Sequence, residues 1–191
     1  MRYLAPLCGV ALLLTVACGG DKSPTAPSAG MGTMNLRLTD SPFSDAKAVL
    51  VTFSSVRAHR TDSDWTTVPF AGGAGSRTCD LKKLQGPNDV LGTGPLPAAE
   101  YEQVRLVVQS AALYFDNASS GAACAASIPA PSGATAALEI PSGEVKLNRG
   151  FTVKEGATMN MLLDFDGDKS IRQTGNGRYM MSPVIAVVSV D

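Results

Sequence analysis

The chain alternates apolar and polar residues with a period of two over most of its length. Met34, Leu36 and Leu38 interleave with Thr33, Asn35, Arg37 and Thr39, the mark of a half-buried strand. "DSPFSDA" follows as a turn built on Pro42 and two aspartates. In "KAVLVTFSSVRAHR", Val49, Val51 and Phe53 share one face and Val56 and Ala58 fall on the other parity. The phase slips at Ser54-Ser55, which predicts a bulge. "WTTVPF" is a short strand joined to that run as a hairpin, with Pro69 near its end. In "CDLKKLQG", Leu81 and Leu84 stand three apart and Asp80 is placed to cap, which predicts one short helical turn. Period two returns with Val104, Leu106 and Val108 inward and Gln103, Arg105 and Gln109 outward, and again with Met159, Met161, Leu163 and Phe165. A long small-residue loop carries Cys124. The run from Val184 to Val188 is apolar on both parities and is expected to be central or covered on both sides. Seven to nine short strands, many Gly/Pro turns and little helix predict an all-β antiparallel sandwich over residues 33–191. A closed β-barrel is the alternative, since periodicity does not separate the two.

The N-terminus breaks this pattern. Arg2 is followed by an apolar stretch from Tyr3 to Ala17, a basic start and a hydrophobic run of secretory-signal length. It is too short to span a membrane, which takes about 20 apolar residues. It ends in Leu14-Thr15-Val16-Ala17-Cys18, which resembles the lipobox of bacterial lipoproteins: apolar, small, small, cysteine. Ala17 is small enough for cleavage before Cys18, and the Cys18 thiolate is the nucleophile that takes a lipid. Thr15 stands where such motifs usually carry leucine. Residues 1–17 are therefore expected to be a lipoprotein signal peptide and Cys18 the lipidation site. Residues 18–32 hold mostly Gly, Ser, Pro, Thr and Ala, too little apolar surface to offset the entropy of ordering. They form a tether that as flexible coil spans roughly 20 Å. Gly19 after the cysteine, by resemblance to lipoproteins of two-membrane bacteria, implies sorting to the outer membrane.

With Cys18 lipidated and Cys8 in the signal, Cys79 and Cys124 remain. In an exported protein such a pair reads as a disulfide, worth roughly 4 kcal/mol for a loop of this length; the alternative is two free thiols in separate places. A formal net charge of −1 does not suggest nucleic acid, whose binders usually show a concentrated basic face.

In order along the chain, "MNLRLTDSPFSDAKAVLVTFSSVRAHR", "DLKKLQG", "LPAAEYEQVRLVV", "IPSG", "FTVKEGATMNMLLDFDGDKSI" and "GRYMMSPVI" resemble bacterial domain-of-unknown-function family 4382 over about residues 32 to 188. The resemblance implies an exported protein, often a lipoprotein. It brings no catalytic residues.

The chemistry on offer is sparse. Asp164, Asp166 and Asp168 alternate in "DFDGDKS" and would share one outward face. Oxygen clusters of this kind suit calcium. The EF-hand spacing fails, however, with Lys169 in place of the glycine and Gly175 in place of the closing acid, so a solvated strand end is expected and no metal. His59 is the only histidine. No G-x-S-x-G accompanies it, and it reads as an exposed strand residue. Arg57, His59, Arg60, Lys82 and Lys83 would make a basic patch for an anionic glycan or lipid headgroup only if the fold brought them together. Trp65, the only tryptophan, is expected to be a buried anchor rather than a sugar platform. No phosphate loop or dinucleotide fingerprint is present, and no cofactor is implied. The reading is a lipid-anchored envelope protein, its domain a non-catalytic binding or structural module. Its partners are the membrane through Cys18 and an envelope protein or a glycan, with no nucleic acid. The alternative is a hydrolase of envelope or extracellular polymers with a site built from distant loops.

Overall fold

Fourteen strand segments carry the fold in a computed structural model that describes residues 30–191 except 42, 62, 63 and 87. The stretch expected to be a signal peptide, Cys18 and most of the expected tether lie outside the described residues. In chain order the strands are β1 (Met31–Ser41), β2 (Ala48–Arg60), β3 (Trp65–Thr67), β4 (Arg77–Asp80), β5 (Asp89–Pro97), β6 (Ala99–Tyr114) and β7 (Cys124–Ala125). There follow β8 (Thr135–Glu139), β9 (Glu144–Leu147), β10 (Phe151–Val153), β11 (Thr158–Asp166), β12 (Ile171–Gln173), β13 (Tyr179–Met181) and β14 (Ile185–Val190).

Two sheets form. One has the order β14-β11-β1-β5. The other is built around the long pair β2 and β6, with β4 and β7 beyond β2, β8, β13 and β12 beyond β6, and β3, β9 and β10 as short side strands. This larger sheet curls into an open half-barrel, and the fold is sandwich-like and mostly β. The closed barrel is not found. Between the sheets, Met34, Leu36 and Leu38 of β1 and Met161, Leu163 and Phe165 of β11 share a core with Val51, Phe53, Val56 and Ala58 of β2 and Val104, Leu106 and Leu113 of β6. Each large aliphatic side chain so buried contributes roughly 1.5–3 kcal/mol.

The predicted slip in β2 is present. Register shifts at Thr52/Phe53 and Phe53/Ser55 return Val56 and Ala58 to the same buried side as Val51 and Phe53. The predicted turn is a 3-10 turn, Leu81–Lys83, whose Lys82 amide is capped by the Asp80 side chain. The Asp80 carboxylate is fully buried; it accepts from the amides of Val49 and Lys82 and from the Ser119 hydroxyl at 2.6 Å. Cys79 and Cys124 face each other across β4 and β7 and are joined by a disulfide, Sγ–Sγ 2.05 Å.

Several expectations need correction. The sandwich is not wholly antiparallel: β1 pairs with β11, and β8 with β13, in parallel. Alternation reports which face a residue takes but not chain direction, and most of the larger sheet lies between β1 and β11, enough chain for a crossover. Strand segments outnumber the predicted seven to nine because several are only two to five residues long. The apolar run at the C-terminus is not central. β14 is an edge strand that pairs only with β11, and Val188 is 58% exposed. Its other parity, with Ile185 and Val187, packs on the core.

Candidate binding face

Beyond the β2 bulge, Arg57 and His59 point away from the core. So do Gln103 and Arg105 of β6 and Glu144 and Lys146 of β9. The registers place these residues in two rows across neighbouring strands. In one row Trp65 stands opposite His59, and His59 opposite Gln103. The Gln103 amide donates to Asn148, just past β9. In the other row Thr67, Arg57, Arg105 and Lys146 face one another in succession.

Trp65 joins the rows. It is half-buried on this outer surface and absent from the core, which corrects the expectation of a buried anchor. Its ring lies 4.6 Å from the His59 ring, tilted by 37°. The Arg105 guanidinium sits 4.2 Å from the indole centroid and that of Arg57 at 5.7 Å, both within cation–π range. Glu144 holds both arginines, Arg57 at 3.3 Å and Arg105 at 3.2 Å, and Arg105 also donates to the Gln103 side-chain oxygen. The Nε atoms of Arg57 and Arg105 have no hydrogen-bond partner among the described residues. A third register shift, at His59/Arg60, leaves Glu102 without an opposite residue on β2, and its carboxylate reaches His59 Nδ1 at 2.7 Å. The groups that meet His59 are thus a carboxylate and an indole. Beside Lys146 and Asn148 the surface dips into a shallow depression of about 300 Å³, lined also by Arg149, Ile185 and Val187.

The basic patch considered from sequence does not assemble as one. Lys82 donates to the Phe43 carbonyl and Lys83 to the Gly121 carbonyl. They follow Asp80, which pairs with Leu50, seven positions along β2 from Arg57 and so roughly 23 Å away. The three aspartates do not share a face. Asp164 accepts from the Ser41 hydroxyl, Asp166 caps the helical turn Gly167–Ser170 and binds Lys169, and Asp168 is exposed on that turn. Among the described residues no group of three His, Cys, Asp or Glu side chains is arranged to hold a metal ion. Tyr101 is buried, stacks on Phe151 at 5.0 Å and donates to the Pro97 carbonyl; Tyr179 packs on Phe115.

Sequence reading put Arg105 on an outward face but missed that it meets Trp65, and missed Glu144, Lys146 and Asn148 altogether. The alternation of "EVKL" marks Glu144 and Lys146 as outward. Which strand lies beside β9 is a matter of tertiary register.

One carboxyl elsewhere is unusual. Asp40 is 6% exposed, and neither of its oxygens has a hydrogen-bond partner among the described residues. Burial, then the nearby Asp164 charge, pushes its pKa up to about 8, against the pull of the Lys82 charge.

The molecule is thus an all-β, sandwich-like domain with an aromatic and cationic outer face on its larger sheet. Residues 31–183 match the family described as domain of unknown function DUF4382, and the chain belongs to that family. No curated protein and no solved structure matches it.

Proposed function

We propose that this protein is a lipid-anchored component of the bacterial envelope, held by Cys18 and sorted to the outer membrane, whose β-domain is a non-catalytic binding module acting through the Trp65 face. The observation that carries the binding reading is Trp65 itself. A large aromatic ring on the solvent side of a sheet, flanked by two guanidiniums, offers a flat surface with charge beside it, as binding surfaces do. The anchor rests on the sequence Leu14-Thr15-Val16-Ala17-Cys18 and the Gly/Ser/Pro-rich stretch after it.

The test has two parts. Full-length protein expressed in its host should incorporate labelled fatty acid, and Cys18→Ala should abolish the label; equal labelling of the two removes the anchor. The purified full-length protein should co-sediment with the insoluble polymer fraction of the envelope, and Trp65→Ala should lose most of that retention. Equal retention of wild type and variant removes the binding face.

A further inference from the structure

We propose that the Trp65 face takes a carboxylate-bearing polysaccharide, an inference that rests on the binding reading above and names its ligand class. The cation row is the starting point. Arg57 stands opposite Arg105, and Arg105 opposite Lys146, so three positive side chains occupy adjacent strands at one level of the sheet. Like charges directly opposite one another destabilise a sheet. Glu144 alone joins Arg57 and Arg105, and Lys146 is exposed. Such a row is out of keeping with its local surroundings, a mismatch that functional sites commonly show. Bound anions would relieve it.

Its dimensions favour a polymer. Strands lie about 4.8 Å apart, so the row from Arg57 to Lys146 spans about 10 Å, and Arg149 extends the positive charge into the adjoining depression. Cations strung along a line match anions repeated along a chain better than one isolated headgroup. Guanidiniums match carboxylates in planar geometry and charge, as the contacts of Glu144 with Arg57 and Arg105 already show.

The second row supplies what a sugar needs besides charge. Trp65 offers an apolar ring surface. Gln103 and Asn148 carry amides that both donate and accept, the pairing that hydroxyl groups require. A ring stacked on Trp65 would have amides along its own row and cations along the next.

The experiment is calorimetric titration of the purified full-length protein with three probes: an oligogalacturonate, a neutral oligoglucan of the same length, and glycerol phosphate as a phosphate headgroup. Oligogalacturonate is expected to bind at least tenfold more tightly than either other probe, and more weakly as salt rises. Trp65→Ala should weaken it at least tenfold. Lys146→Gln, an exposed change that leaves the core untouched, should weaken it about threefold or more with an unchanged melting temperature. Neutral oligoglucan or glycerol phosphate binding as well as oligogalacturonate, with Trp65→Ala still harmful, would overturn the acidic-glycan inference and keep the binding face. No binding of oligogalacturonate would also overturn the inference, and polymer co-sedimentation then decides the binding reading separately. Wild-type affinity in Trp65→Ala for every probe that binds would overturn both.

Discussion

Asp40 and Asp80 stand at the ends of neighbouring segments and show opposite ways of burying a carboxyl. Asp80 has three donors on its two oxygens and ties the start of β2, the Leu81–Lys83 turn and the Ser119 loop together. Asp80→Ala should leave two amides and a hydroxyl without that partner and lower the unfolding free energy by about 2–4 kcal/mol, measured by urea denaturation. A loss under about 0.5 kcal/mol would contradict this role. Asp40 has the burial without the donors. Its pKa is raised from 3.8 to about 8, so below pH 4 both folded and unfolded chains carry the proton and nothing is lost. Between about pH 4 and 8 the unfolded chain ionises while the folded one keeps its proton, and stability falls as pH rises; above about 8 the loss is complete. Asp40→Asn should therefore gain on wild type across that window, by at least about 1 kcal/mol at pH 8, read from denaturant midpoints at pH 4, 6 and 8. A difference that does not change with pH would show that Asp40 ionises freely in the fold. The cap by Asp80 was visible as an aspartate before Leu81 and Leu84. Its bonds to Val49 and Ser119 were not, because they join segments far apart in sequence.

Strands were legible where one side is buried and the other wet. In β1, β11 and β6, Leu36, Phe165 and Val104 each sit between polar neighbours, and the alternation names the buried face correctly. The bulge in β2 was legible for the same reason, since only an extra residue lets Phe53 and Val56 share one side. β14 was misread because an apolar run on both parities does not say whether its second face meets protein or water. Direction and neighbours were beyond reach, and with them the parallel β1–β11 pair. The disulfide belongs to this scale, because it fastens the two-residue strand β7 to β4. It links positions 45 apart, so replacing both cysteines by alanine should cost about 2–4 kcal/mol, seen as a lower denaturant midpoint with little change in slope. An unchanged midpoint would mean that the link contributes nothing to the fold.

At the scale of the whole molecule, the two sheets place the chain's entry and the Trp65 face near the same end. The Gly30 carbonyl accepts from the Ala98 amide, just before β6 begins, and Gln103 lies four residues into that strand. A domain anchored through Cys18 would present this face close to its tether, where a polymer lying along the membrane would be met. The outward side of Arg57, His59 and Arg105 was legible in the alternation. The assembly of the face was not, because Trp65, Arg105 and Glu144 come from strands whose adjacency only the folded sheet defines. The central claim is that ligand meets Trp65, and the sole tryptophan of the chain makes this directly measurable. Intrinsic fluorescence of the full-length protein should change saturably as oligogalacturonate is added, with the same midpoint as the calorimetric titration. Binding by calorimetry with an emission spectrum that stays unchanged to saturation would place the ligand elsewhere and contradict the account.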